Sequence, residues 1–133
     1  MPLGHLGINV RSLDVSRHYY DALLPLLGYE SFLIHDDEFA YRPSGGKVGT
    51  YLFFYPADRA TQRYDETAIG LQHLAFMVAT RSDVDSAYTS ACDLGSTSVH
   101  PPQSWPQYPP PYYAAFWRDP DGIMLEAVCH KDR

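Results

Sequence analysis

His5-Leu6-Gly7-Ile8-Asn9-Val10 and His73-Leu74-Ala75-Phe76-Met77-Val78 share the pattern His-Leu-x-x-x-Val and lie 68 residues apart. A serine follows each, Ser12 and Ser82, and a stretch with helical spacing follows each serine. In the first, Val15, Tyr19, Leu23, Leu26 and Leu27 share one stripe of a predicted helix over 14–27, and Gly28 stands in the C-cap position. The second opens with Ser82-Asp83-Val84-Asp85, a capping-box-like start with Asp in place of Glu. It turns Val84, Ala87, Tyr88, Ala91 and Leu94 inward and ends at Gly95. A six-residue match arises easily by chance, but helix starts and glycine stops repeating within two residues of the same offset do not. Each half therefore reads strand, helix, then strands.

The remaining strands follow from apolar runs bounded by turn residues. In the first half they are predicted at 29–36, 38–42 and 47–55, with Ser44-Gly45-Gly46 as a turn. In the second they are predicted at 96–99, 112–118 and 122–129. The last two are joined by Asp119-Pro120-Asp121-Gly122, a type I turn signature. The expected organisation is a single α+β domain over 1–133, built of two tandem β-α-β-β-β modules at 1–56 and 70–130. The polar stretch 57–69 reads as an exposed linker.

Composition narrows the function class. The chain has 133 residues, enough for one domain with a real core, and a net charge of -6 from sixteen acids and ten bases. That balance, with no Lys/Arg run, argues against a nucleic-acid binder. The longest apolar stretches, such as Tyr51 to Tyr55, fall far short of the ~20 residues a membrane span needs. The N-terminus shows no basic region leading into an apolar one. Two cysteines, Cys92 and Cys129, are too few for a disulfide framework. These features suggest a soluble, cytoplasmic domain with free thiols.

Strand side chains alternate faces. Leu6, Ile8 and Val10 oppose His5, Gly7 and Asn9; Leu74, Phe76 and Val78 oppose His73, Ala75 and Met77. The large apolar face packs under the helix, so the other face lines a cavity. In the last strand Glu126 interrupts the apolar run Ile-Met-Leu-Glu-Ala-Val. A buried ionised carboxylate needs a cation, a hydrogen-bond partner or water. A lone strand His is most often a core or edge residue, and a lone Glu commonly faces solvent. Together, with the two histidines at equivalent positions of a repeat, His5, His73 and Glu126 form the donor set of a facial metal site with open positions.

The tandem pattern resembles the vicinal oxygen chelate superfamily of glyoxalases, bleomycin-resistance proteins and extradiol dioxygenases. The matching pieces are the two His-Leu strands, Ser12-Leu-Asp-Val-Ser-Arg-His-Tyr-Tyr before Leu27-Gly28-Tyr29, and Tyr113-Ala-Ala-Phe-Trp-Arg-Asp-Pro-Asp-Gly-Ile-Met-Leu-Glu126. The resemblance covers nearly the whole chain. It implies paired modules forming a cup-shaped, partly open mixed sheet with the helices outside and a divalent metal (Fe, Mn, Ni, Zn or Co) at its base. By the same resemblance, His5, His73 and Glu126 fall on the ligand positions. It further implies a homodimer, in some members with one chain's first module completing the partner's second. The strand Val48-Gly-Thr-Tyr-Leu-Phe-Phe-Tyr55 lacks the fourth protein ligand that glyoxalase I and methylmalonyl-CoA epimerase carry. The acid–base histidine of dioxygenases has no clear counterpart either: His100 is expected in a loop and His130 lies beyond the last strand.

The segment His100-Pro-Pro-Gln-Ser-Trp-Pro-Gln-Tyr-Pro-Pro-Pro111 holds six prolines in twelve residues and reads as a stiff loop overhanging the cavity. Asn9, Phe54, Met77, Trp105, Tyr108, Tyr113 and Trp117 are the expected pocket residues, with Tyr112 a further candidate wall. Arg42 and Arg118 are candidate anion partners, and Tyr51 and Tyr113 are candidates for proton transfer. Two functions remain open. One is a divalent-metal lyase, isomerase or dioxygenase acting on a small oxygenated substrate; the other is metal-free sequestration of an aromatic or cationic compound.

Overall fold

In the computed structural model, which describes residues 3–133, the first half runs β1 (His5–Val10), α1 (Leu13–Leu23), β2 (Tyr29–His35), β3 (Glu38–Pro43) and β4 (Tyr51–Pro56). The second runs β5 (Leu74–Met77), α2 (Arg81–Asp93), β6 (Ser98–Ser104), β7 (Tyr113–Arg118) and β8 (Met124–Cys129). The strands form two four-stranded mixed sheets, ordered β1-β4-β3-β2 and β5-β8-β7-β6. In each sheet the strand preceding the helix lies parallel to the last strand of its half, and the other pairs are antiparallel. The β-α-β-β-β pattern is thus realised twice, in units spanning 1–63 and 64–133. Among the described residues no helix is long and apolar enough to cross a membrane.

In the first unit Ser12 caps α1, its hydroxyl accepting the Val15 N–H at 3.2 Å. The helix stops at Leu23, four residues short of the expected end. Pro25 follows in a 3-10 turn, Leu24–Leu27, that closes at Gly28 with φ of 88°. The buried stripe is accordingly Ser16, Tyr19, Tyr20, Leu23, Leu24 and Leu27. Val15 and Leu26, expected on it, are exposed. Phe54, expected to line a pocket, is fully buried instead. It stacks on Phe39 with centroids 4.8 Å apart and lies 4.6 Å from Tyr20, because Leu52 and Phe54 share the helix side of β4. β4 begins at Tyr51, four residues later than expected.

In the second unit the capping box is Thr80 with Asp83, two residues before the expected start. The Thr80 hydroxyl accepts the Asp83 N–H, and the Asp83 carboxylate accepts the Thr80 N–H, each at 3.1 Å. Val84, Ala87 and Ala91 are buried on α2, while Tyr88 and Leu94 are only half-buried. Trp117, expected at the pocket, is fully buried with its ring edge-on to Tyr88 of α2 at 6.4 Å. The turn after β7 matches its signature. The Asp119 carboxylate accepts N–H groups from Asp121 and Ile123 at 2.9 Å each, and Gly122 closes it with φ of 90°.

β6 departs most from expectation. It runs on through His100, Pro101 and Pro102 to Ser104, where a loop was expected. It is an edge strand of its sheet, a setting in which proline is tolerated. Its pairing slips twice: Ser98 opposes Trp117, His100 opposes Phe116 and Gln103 opposes Ala114, so two bulges insert extra residues. β2 carries a comparable bulge between Ser31 and Leu33.

The polar stretch between the modules is anchored by side chains. The Arg11 guanidinium donates to the Ala60 carbonyl at 2.6 Å and to the Gln62 carbonyl at 3.2 Å, within the first unit. In the second unit Arg118 forks onto both oxygens of Glu66, at 2.5 and 3.0 Å. Both cysteines are free thiols, Cys129 buried and Cys92 partly so.

Candidate functional site

β8 is an inner strand of the second sheet, and all six of its residues are buried. Glu126 is among them, 1% exposed. Its register places Ala75 on one side and Phe116 on the other, so these three share a face. His73, two residues before Ala75, belongs to the same face. Its Nε2 lies 3.0 Å from Glu126 Oε1. The second carboxylate oxygen accepts the Tyr112 hydroxyl at 2.6 Å. Burial, and then the bond to Glu126, push the Tyr112 phenol well above the usual tyrosine range, so it stays a donor.

The other ring nitrogen of His73, Nδ1, lies against the Gln72 side-chain oxygen, which only accepts, so this contact is satisfied by a proton on Nδ1. In a neutral ring Nε2 is then a bare acceptor facing a carboxylate oxygen. Two lone pairs 3.0 Å apart repel unless a proton or a metal cation joins them. Two donors on bonds of about 2.1 Å at a right angle are about 3.0 Å apart, so the pair fits adjacent positions on a divalent ion. A Gln oxygen on the far ring nitrogen is also the kind of partner that orients metal-bound histidines.

A cavity of about 370 Å³ opens over this pair. Its base is His73 and Glu126, and its walls are the rings of Trp105, Tyr108, Tyr112, Phe116 and His100, with Gln72 and Met124 completing it. Trp105 and Tyr108 reach it because the loop between β6 and β7 closes as a hairpin, the Trp105 N–H donating to the Tyr112 carbonyl at 2.9 Å. The Trp105 indole N–H donates to the Ala114 carbonyl at 3.1 Å, which fixes the ring.

The other expected site residues are distributed as follows. His5 opens β1 in the first unit, exposed, with its ring edge to Phe53 at 5.1 Å. Asn9 is exposed on the same face of β1. Tyr51 registers with His5 and meets the Phe32 ring at 5.3 Å. Met77 lies on the His73 face of β5 and is largely exposed. Tyr113 does not join the pocket. Its hydroxyl donates to Asp85 of α2 at 2.7 Å and its ring lies under the Arg81 guanidinium, on the opposite face of β7 from Phe116. Burial and the Asp85 bond raise its phenol, which unsuits it as a base. Arg118 and Arg42 are held by Glu66 and Glu30 respectively, the latter at 2.9 Å.

His100 and the Tyr112–Glu126 bond are the parts that strand alternation does not reveal. Counting from Ser98 opposite Trp117, an unbroken β6 would turn His100 to the α2 side; the bulge turns it to the cavity. A separate group at the β2–β3 hairpin, His35, Asp37 and Glu38, brings ligand atoms within 4.8 Å of one another, with His35 and Asp37 exposed.

The Glyoxalase/Bleomycin resistance protein/Dioxygenase superfamily model matches residues 3–127. Among solved structures, a candidate glyoxalase of Bacillus halodurans is 31% identical with a TM-score of 0.77, covering 96% of this chain and 94% of its own. A glyoxylase/bleomycin resistance protein/dioxygenase domain from a Frankia species is 25% identical with a TM-score of 0.73, covering 98% of each chain. A glyoxalase/bleomycin resistance protein of Albidiferax ferrireducens, 22% identical, shares the fold with a TM-score of 0.77 over 97% of this chain and 98% of its own. No curated protein matches the chain. With a family match across almost its whole length and two sheets of the corresponding topology, the chain belongs to the Glyoxalase/Bleomycin resistance protein/Dioxygenase superfamily.

Proposed function

We propose that the chain is a divalent-metal-dependent enzyme of this superfamily acting on a small oxygenated molecule. The observation that supports it most is the Nε2 of His73 set 3.0 Å from an oxygen of the buried Glu126. His73 and Glu126 would hold the ion. His5, the repeat equivalent of His73, is proposed as the further imidazole, from this chain or from a second copy. When bound, the ion supplies Lewis-acid stabilisation of an oxyanion or enolate on the substrate. The protein's own part is electrostatic and steric. Glu126 offers one oxygen while Tyr112 occupies the other, Gln72 orients the imidazole, and the rings of Trp105 and Tyr108 wall the cavity.

Metal-free binding is the second reading. An imidazolium at His73 together with the Tyr112 hydroxyl would satisfy both Glu126 oxygens without an ion. Elemental analysis of protein purified without chelator, beside His73→Ala and Glu126→Gln, separates the two. About one Fe, Mn, Ni, Zn or Co per chain, lost in both variants, is the expected outcome. Absence of metal, with none taken up when each ion is added back, would leave sequestration as the function.

A further inference from the structure

Resting on the reading of His73 and Glu126 as the reacting end, we infer that the cavity takes a flat aromatic body bearing no anionic group. Two ring arrays line it. Tyr108 and Tyr112 lie 4.7 Å apart at 35°, and Trp105 and Phe116 lie 5.3 Å apart at 75°, with His100 edge-on to both of the latter at 4.9 and 5.6 Å. The wall is set before any ligand arrives, since the Trp105 indole is bonded to Ala114 and the Tyr108 N–H returns to the Trp105 carbonyl at 3.3 Å. Fixed rings give stacking area at small entropic cost.

Charge decides what stacks there. Among the lining residues none is Lys or Arg, and Glu126 is the one acidic side chain. Two guanidinium groups of the same unit have partners of their own. Arg118 forks onto Glu66, and Arg81, which lines an adjoining cavity, lies over the Tyr113 ring and pairs with Asp132 at 3.0 Å. A phosphate or carboxylate carried on the ring, away from the ion proposed at His73 and Glu126, would be desolvated with no Lys or Arg to meet it, against electron-rich ring faces. A neutral ring meets no such penalty, and a cationic one gains from the same faces. The volume, about 370 Å³, sits at the small end of ligand sites and suits one or two rings.

Fluorescence titration tests the inference, because the chain has two tryptophans and Trp117 is fully buried, so ligand-dependent quenching reports Trp105. The protein is titrated in chelator, so that no ion can hold an anionic probe, with benzyl alcohol, phenyltrimethylammonium, phenylphosphonate and cyclohexylmethanol. The two uncharged or cationic aromatic probes are expected to bind at least about tenfold more tightly than phenylphosphonate, a gap of about 1.4 kcal/mol. Cyclohexylmethanol should be weaker than benzyl alcohol, and Tyr108→Ala, at a half-exposed position, should weaken both aromatic probes. Phenylphosphonate binding as tightly as benzyl alcohol, or no aromatic probe binding, would overturn the inference. Metal uptake on the same preparation keeps the two readings apart. Metal with a preference for phosphonate defeats this inference alone, and aromatic binding without metal uptake defeats the metal reading alone.

Discussion

Tyr112 takes one oxygen of Glu126 and leaves the other to face an imidazole, so a single hydroxyl governs how a fully buried carboxylate presents its charge. Replacing it, Tyr112→Phe, removes that bond while keeping the ring beside Tyr108. The expected result is metal affinity weaker by about tenfold, the usual scale for a partner that orients a ligand. Competition against a chelator of known strength measures it, and unchanged affinity would show the bond to be structural only. Glu126 was visible in the sequence because one charge in an apolar strand demands a partner. Phe54 and Trp117 were misplaced for the converse reason. Size marks an aromatic side chain as able to wall a pocket or fill a core, and only the contacts with α1 and α2 distinguish these.

At the scale of elements, the two His-Leu strands, both helices and the Asp119–Gly122 turn were legible because each rests on local periodicity or local turn chemistry. What escaped was register. β6 slips relative to β7, and a slip of one residue exchanges the faces of everything beyond it, which is how His100 reaches the cavity. No local pattern announces such a slip, since its cause is the partner strand. Helix starts differ by smaller amounts; α2 is capped by Thr80 rather than Ser82 because Asp83 reaches back to the Thr80 N–H. Thr80→Ala should therefore destabilise the protein by about 1 kcal/mol, whereas Ser82→Ala should change little. Urea unfolding of both variants reads the difference, and equal midpoints would place the cap elsewhere.

For the whole molecule, the acidic side chains set the response to pH. Glu66 is held below its ordinary value of 4.5, chiefly by the Arg118 bond, and Glu30 by the Gly45 N–H and then Arg42. A carboxylate lowered on folding contributes stability that is fully present above its unfolded value. That stability fades as pH falls through the folded one. The unfolding temperature should thus hold between pH 7 and 5 and drop below about pH 4.5, the carboxylate range. Glu66→Gln should lower it at neutral pH and flatten part of the acid limb; a limb of unchanged steepness would mean that other groups dominate it. The Pro101–Pro102 bulge of β6 bears on behaviour in a crowded solution. A sheet's rim is a template on which a foreign strand can grow, and it works by offering N–H groups in sequence. Two adjacent residues of this rim have none, and the register breaks at the same point. Chains meeting along β6 cannot zip together there, so fibril-like growth from that side of the sheet is interrupted at its fourth and fifth residues.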